Sequence, residues 1–191
     1  AERYGIMSNV DRWVISQTFN WLKKHTKHIP KVAINLSGAS LGDTELPQFV
    51  ANHFKDGIVQ GHQICFEITE TAAIANLSQA LSLISSLKEL GCSFALDDFG
   101  SGLSSFAYLK NLPVDYLKID GSFIRGMVDD PMDLAMVQAI HQIGKVMNIK
   151  TIAEYVENDA LVTVCQDIGI NYLQGYGVGK PIPISLLAFN R

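Results

Sequence analysis

From Ser93 to Gly100 the chain reads SFALDDFG, a short and mostly apolar run followed directly by two carboxylates. Consecutive apolar positions are typical of a strand that is covered on both faces. The same unit recurs at five other places, where short apolar runs end at Asn35, Glu67, Lys118 to Asp120, Glu154 and Gln174. Because helical segments separate the runs, the sequence predicts six parallel strands in an α/β fold.

The segments between the runs have the apolar spacing of helices. The first helix is predicted to begin at Ser8, with a capping-box-like start that ends in Asp11, and to stop at Pro30. Its predicted buried face consists of Val10, Trp13, Val14, Trp21 and Leu22. Further helices are predicted from Pro47, from Leu77 to Gly91 with Gly91 as a left-handed cap, near Phe106 to Leu109, over Met132–Met147 and from about Asp159 to Ile168.

No linker or low-complexity tract interrupts this series, so residues 1–191 are expected to form a single domain. The 15 basic and 19 acidic residues give a net charge of −4, which provides no basic field for a nucleic-acid duplex.

The three cysteines form no C-x-x-C pair and are expected to be buried thiols of a cytoplasmic chain. No apolar stretch is long enough to span a bilayer, although the chain fits the cytoplasmic part of a membrane-anchored protein equally well.

The polar residues gather where the predicted strands end. They are Asn35, Glu67, Asp97, Asp98, Lys118, Glu154 and Gln174. A single carboxylate in such a place is commonly a helix cap, but six strands with polar ends favour an active site at one edge of a parallel barrel. Four carboxylates without His or Cys at ligand spacing predict hard cations, Mg²⁺ or Mn²⁺, and the Asp97–Asp98 pair suggests two ions. The residues alone therefore predict a metal-dependent hydrolase, with a phosphate ester as the favoured substrate.

At these residues the chain resembles the EAL family of cyclic di-GMP phosphodiesterases. The resemblance runs from Ala1 to about Pro181. Its motifs, in order, are DRWV from Asp11, INLS from Ile34, FEITE from Phe66, DDFGSG from Asp97, LKID from Leu117, AEYVE from Ala153 and QGY from Gln174. The resemblance implies a TIM-like (β/α) barrel of the EAL type and hydrolysis of cyclic di-GMP to linear pGpG in bacterial second-messenger signalling.

The resemblance also implies a role for each matching residue. The implied metal ligands, for two Mg²⁺ or Mn²⁺ ions, are Asn35, Glu67, Asp97, Asp98 and Glu154. Lys118 and Glu154 are the implied catalytic residues, with Lys118 assisting the attacking water. The implied residues that contact the substrate or support the ligands are Gln174, Glu157 and Asp120. Glu70 is expected to steady the loop after Asp98, in a segment from Phe99 to Ser105 with the composition of a lid. A homodimer and coupled regulatory domains outside this chain are further implications.

Two departures from the family pattern keep alternatives open. Tyr155 stands where the family usually has glycine, and the E-A/V-L segment that names the family is absent, so the barrel is expected to lack its N-terminal strand or strands. The missing segment predicts that this chain alone is a much weaker catalyst than its parent protein, by roughly 10²-fold or more. Both departures favour, as an alternative, a catalytically inactive receptor for cyclic di-GMP. A third possibility is another metal-dependent barrel enzyme, such as an enolase-like lyase.

Overall fold

The structure, a computed structural model, describes residues 6–101 and 106–187. Its strands are β1 (Val32–Asn35), β2 (Ile64–Thr69), β3 (Ser93–Phe99), β4 (Tyr116–Ile119), β5 (Lys150–Ala153) and β6 (Tyr172–Leu173). Its α-helices are α1 (Met7–Leu22), α2 (Leu46–Phe54), α3 (Glu70–Ala75), α4 (Leu77–Glu89), α5 (Gly121–Gly126), α6 (Pro131–Met147) and α7 (Asp159–Ile168). The strands follow one another in the sheet in chain order, and this confirms the six predicted strands.

The chain divides into two compact units. The first consists of Ala1–Leu96 with Ser105–Asp115, and the second of Asp97–Ser104 with Tyr116–Arg191. In the described part of the chain no helix combines the length and the apolar character needed to cross a membrane.

In the first unit, β1 and β2 pair in parallel, and the register runs from Val32 opposite Ile64 to Asn35 opposite Glu67. The side chains between these strands and the helices are apolar and fully buried; they include Phe19, Leu46, Phe66, Ile84 and Leu87. The helix predicted from Pro47 is present as α2, with the proline in its first turn. Gly91, with φ +86°, adopts the left-handed conformation predicted for it after α4.

In the second unit, β4 pairs with β5 and β5 with β6, both in parallel. The predicted bounds of α6 and α7 are confirmed to within one residue. Asp130 and Asn158 cap these helices by accepting hydrogen bonds from the Met132 and Leu161 amides. The carboxyl ends of β4 and β5 therefore lie side by side, and the residues that follow them are held close together.

The predicted face of α1 is wrong apart from Leu22, which is buried as predicted. Val10 and Trp13 are 37% and 64% exposed, and the residues that α1 buries are Asp11, Ile15, Phe19 and Leu22. The predicted cap is also wrong, because the helix begins at Met7 without a side-chain cap and ends at Leu22, well before Pro30. The physical reason is that Asp11 finds hydrogen-bond donors in the interior, so a charged residue occupies a position that the hydrophobic pattern assigns to the surface.

The three cysteines are free and buried, as predicted. Burial raises the pKa of the Cys92 thiol to about 12 and that of the Cys165 thiol to about 11. Both groups are therefore neutral near pH 7, and they behave as small apolar core residues rather than as nucleophiles.

Candidate functional site

Three carboxylates converge in the second unit. Oxygen atoms of Asp97, Asp98 and Glu154 all lie within 4.8 Å of one another. Asp97 and Asp98 lie inside β3, which continues to Phe99, rather than beyond its end as the sequence suggested. Successive side chains of a regular strand point to opposite faces, but Asp98 has φ +53°, a left-handed conformation that aspartate tolerates. This turn of the backbone allows two neighbouring carboxylates to reach the same place.

Lys118 provides the positive charge of this cluster. Its side chain is 4% exposed, and its Nζ lies 2.7 Å from Asp97 Oδ1 and 2.9 Å from Glu154 Oε1. The lysine lies in β4, between β3, which supplies Asp97, and the residue after β5, which supplies Glu154. A buried ammonium needs charged partners, and here it holds two carboxylates in fixed positions.

The electrostatic balance of the cluster is negative. Burial raises the pKa of Glu154 to about 7, although Lys118 lowers it in part, and the charges of Asp97 and Asp98 raise it further. Burial and then the charges of Asp97 and Asp120 raise the pKa of Asp98, while Lys118 opposes the shift. An additional cation would relieve this excess of negative charge. Because every donor is an oxygen, the cluster fits a hard divalent cation such as Mg²⁺ or Mn²⁺ better than zinc.

A cleft of about 450 Å³ opens beside the cluster, and its lining residues are Glu154, Tyr155, Glu157, Gln174, Gly175 and Tyr176. Gln174 is fixed there by backbone bonds, since its N–H donates to the Ala153 carbonyl at 2.8 Å and its carbonyl accepts from Val156 N at 3.0 Å. Gly175 allows the close approach, because a Cβ at this position would overlap the Val156 backbone. Of the sequence-predicted site residues, Glu154, Glu157 and Gln174 therefore border one cavity.

Tyr155 has a backbone conformation that explains why glycine suits this position. Its φ of +52° is left-handed, which is costly for a bulky residue. The ring packs so closely on Gly121 that any side chain there would overlap it. The Arg125 guanidinium lies 4.8 Å from the centre of the same ring. The tyrosine is thus held against α5 while it lines the cleft.

Asn35 and Glu67 are brought together in the first unit. They face each other in the register of β1 and β2, and paired residues of neighbouring strands point to the same side of a sheet. Asn35 is exposed, whereas Glu67 is buried within β2, which extends to Thr69 rather than stopping at Glu67. Two oxygen donors on one face of a strand pair are compatible with the metal-ligand roles implied for them.

Glu70 and Asp120 have well-defined partners. Glu70 opens α3 and accepts a hydrogen bond of 2.5 Å from the Tyr108 hydroxyl in the 3₁₀ helix Phe106–Asn111. Asp120 caps α5 by accepting from Ser122 N at 2.7 Å. The segment predicted as a lid, Phe99 to Ser105, falls in part outside the described residues, because 102–105 are not among them.

The sequence patterns do not identify two residues that make buried or part-buried polar contacts. The capping-box-like pattern assigns Asp11 to a helix cap, whereas in the structure it lies on the apolar side of α1 with Ile15 and Phe19; the spacing of these three residues is a usable signal. Tyr108 was treated only as an apolar helix residue. Its bond to Glu70 joins positions 38 residues apart, and no local pattern reports such a contact.

A profile of the EAL domain family matches residues 1–181 of the chain. The chain is 43% identical to cyclic di-GMP phosphodiesterase PdeB of Shewanella oneidensis over 97% of its own length and 22% of that protein. It is 39% identical to cyclic di-GMP phosphodiesterase PdeF of Escherichia coli over 96% of its own length and 25% of that protein. The chain thus spans about a quarter of the length of these relatives.

Solved structures that resemble the chain include a phosphodiesterase and an EAL domain. The PaMucR phosphodiesterase, in complex with c-di-GMP, has a TM-score of 0.90 at 31% identity over 97% of this chain and 76% of that chain. The EAL domain of FimX from Pseudomonas aeruginosa, bound to c-di-GMP, has a TM-score of 0.88 at 29% identity over 95% and 73%. These similarities confirm the α/β fold predicted from the sequence.

Proposed function

Because the chain belongs to the EAL domain family, we propose that it hydrolyses one phosphodiester bond of cyclic di-GMP and releases linear pGpG. The relatives named for this activity support the proposal. The observation that carries it is the position of Lys118, buried between Asp97 and Glu154 in a cluster that also contains Asp98. A domain with only a structural role has no need to gather three carboxylates beside one buried ammonium.

The carboxylates and one amide are proposed to hold two divalent cations, Mg²⁺ or Mn²⁺. The ligands would be Asn35 and Glu67 in the first unit and Asp97, Asp98 and Glu154 in the second. When bound, such ions supply positive charge that lowers the pKa of water and offsets charge on a phosphoryl group. The raised pKa values of Glu154 and Asp98 support this assignment, because a bound cation would lower the pKa of both groups.

Lys118 and Glu154 are proposed as the catalytic residues. The Lys118 ammonium can hold an attacking water by hydrogen bonding and can stabilise charge that develops on the phosphoryl oxygens. Glu154, with a pKa of about 7, can exchange a proton with water near neutral pH. Gln174, Glu157 and Asp120 are proposed to contact the substrate or support these groups, and Glu70 to steady the loop after Asp98.

The larger setting is also part of the proposal. Residues 1–191 would act as one EAL-type domain in the cytoplasm, as a homodimer coupled to regulatory domains. The relatives support the coupling, since each is about four times as long as this chain. Their signal inputs would lie in sequence beyond the part that matches.

A second candidate is a receptor that binds cyclic di-GMP without hydrolysing it. Tyr155 favours it, because a bulky side chain at a position suited to glycine lines the cleft beside Glu154. The intact set of Asp97, Asp98, Lys118 and Glu154 favours the enzyme.

Incubation with cyclic di-GMP separates these functions. The chain is mixed with the dinucleotide in Mn²⁺, in Mg²⁺ and in excess EDTA, and the products are identified by mass spectrometry. We expect pGpG with either metal and none with EDTA. Calorimetric binding of cyclic di-GMP with no product in either metal would support the receptor instead.

A further inference from the structure

Asp11 is a buried carboxylate outside the cluster of proposed catalytic residues. It is 5% exposed and lies on the inward face of α1, in line with the buried apolar residues Ile15, Phe19 and Leu22. Placing a charge among apolar neighbours is costly unless hydrogen-bond donors satisfy it. The position therefore calls for an explanation beyond helix stability.

One oxygen of Asp11 accepts three hydrogen bonds. Asp11 Oδ2 lies 2.9 Å from Ser37 N, 2.6 Å from Ser37 Oγ and 2.7 Å from Ser40 Oγ. Bonds to an ionised acceptor are short and stronger than those between neutral groups. All three donors belong to the same short segment, so the carboxylate fixes that segment against α1.

The segment held by Asp11 leads directly away from Asn35. Ser37 lies two residues after Asn35, and Ser40 lies in the 3₁₀ helix Gly38–Gly42 that follows. Between them, Leu36 N donates to the Glu67 carbonyl at 2.8 Å and continues the pairing of β1 with β2. The backbone after Asn35 is thus fixed on one side by Glu67 and on the other by Asp11.

We propose that Asp11 is a positioning residue that holds Asn35 beside Glu67 for metal binding. Asp11 does not itself coordinate the ion; it acts through Ser37 and Ser40. The inference rests on the proposed function, because it takes Asn35 and Glu67 as metal ligands. Residues that orient ligands in this way commonly affect metal affinity without touching the metal.

A neighbouring ion pair provides a matched control. Arg12, the next residue of α1, forms a two-pronged bond with Asp43, at 2.8 Å for its shortest contact, and Asp43 follows the same 3₁₀ helix at its far end. The variant Asp43→Asn weakens a tie between the same two elements but leaves the bonds to Ser37 and Ser40 intact. A purely structural role for Asp11 predicts that both variants behave alike.

The test compares Mn²⁺ binding in the full chain for the wild type, Asp11→Asn, Asp43→Asn and Glu67→Gln. Free Mn²⁺ is measured by electron paramagnetic resonance, and the thermal midpoint is recorded without metal. We expect both aspartate variants to lower the midpoint, but only Asp11→Asn to raise the Mn²⁺ dissociation constant, by about tenfold. Turnover of Asp11→Asn should recover as Mn²⁺ is increased, which a loss of folded protein would not allow.

The variant Glu67→Gln distinguishes a failure of the proposed metal ligands from a failure of the inference about Asp11. If it leaves Mn²⁺ affinity unchanged, the ligand assignment in the proposed function fails. If it weakens Mn²⁺ binding while Asp11→Asn does not, the inference about Asp11 is overturned and the proposed function stands. Should Asp11→Asn fail to fold, Ser40→Ala removes one of the three donors; a dissociation constant raised about threefold supports the proposal, and an unchanged one overturns it.

Discussion

Lys118 is the residue on which the proposed chemistry of the second unit depends most. It is almost fully buried, and its ammonium is within hydrogen-bond distance of both Asp97 and Glu154. Its removal would leave these carboxylates without their internal cation, and any water or phosphoryl oxygen beside them would lose a donor. Its effect on the rate should therefore exceed its effect on substrate binding.

We expect Lys118→Met to lower kcat by about 10²-fold or more, with a much smaller change in KM. Methionine keeps most of the side-chain volume but has no charge and no donor. Steady-state hydrolysis of cyclic di-GMP measures both constants, and circular dichroism checks that the variant is folded. Lys110→Met, at an exposed position, is the control. A Lys118→Met enzyme with undiminished kcat would remove the lysine from the mechanism.

Substitution of Tyr155 tests whether this side chain allows hydrolysis or restricts the chain to binding cyclic di-GMP. Replacement by glycine removes the cost of the left-handed backbone conformation, about 1 kcal/mol, and this stabilises the folded state. The same replacement removes the ring contacts with Gly121 and Arg125, and this destabilises it. These effects oppose each other, so the free energy of unfolding should change by less than about 1 kcal/mol. Because the ring packs on α5, we expect kcat of Tyr155→Gly to stay within about threefold of the wild type. An increase of several orders of magnitude would mean that the tyrosine blocks hydrolysis.

At the scale of elements, the contact of α6 with β5 contains a buried polar network. His141 Nδ1 lies 2.8 Å from Thr151 Oγ1, and Asn171 Oδ1 accepts from Thr151 N at 2.8 Å. Burial, and then the charge of Lys145, lower the pKa of His141 below its ordinary value of 6.5. The neutral imidazole is therefore the form that the folded state prefers.

This network predicts a pH dependence of stability. Because the pKa of His141 is lower in the folded state, the unfolded chain binds more protons, and stability falls as the pH drops through 6.5. The pKa of Glu154 is raised in the folded state, so this group contributes a pH dependence of stability with the opposite sign. The contribution of His141 is therefore measured by comparing the wild type with His141→Gln. Urea unfolding between pH 8 and pH 5 should show a smaller loss of stability at low pH for the variant. Parallel curves would exclude His141 as the source.

The elements also show what the sequence can and cannot predict. Apolar runs that end in polar residues predicted all six strands, because short apolar runs separated by helical segments are typical of the parallel strands of an α/β fold. The spacing of Asp11 with Ile15 and Phe19 indicates the inward face of α1, but a charge can be buried there only because Ser37 and Ser40 supply donors in the folded chain. The left-handed turn at Asp98 that brings two carboxylates together has no local signal.

At the scale of the whole molecule, the two units contain different parts of the proposed machinery. The first unit contains the paired strands with Asn35 and Glu67, and the hydrogen bonds from Ser37 and Ser40 to Asp11. The second unit contains Lys118, the carboxylates of Asp97, Asp98 and Glu154, and the adjoining cleft. Residue types in the chain predicted both sets, because oxygen ligands and a lysine at strand ends are chemically distinctive. Membership of the EAL family accounts for their occurrence in one chain.

The most direct test of the proposed function compares the rates of pGpG formation in Mn²⁺ by the variants Asp97→Asn and Asp167→Asn. The first variant removes one charge from the cluster and weakens the bond to Lys118, and the second removes the same charge from an exposed position on α7. We expect Asp97→Asn to lose activity by about 10²-fold or more and Asp167→Asn to match the wild type. Equal rates for the two variants would contradict the assignment of this cluster as the site of cyclic di-GMP hydrolysis.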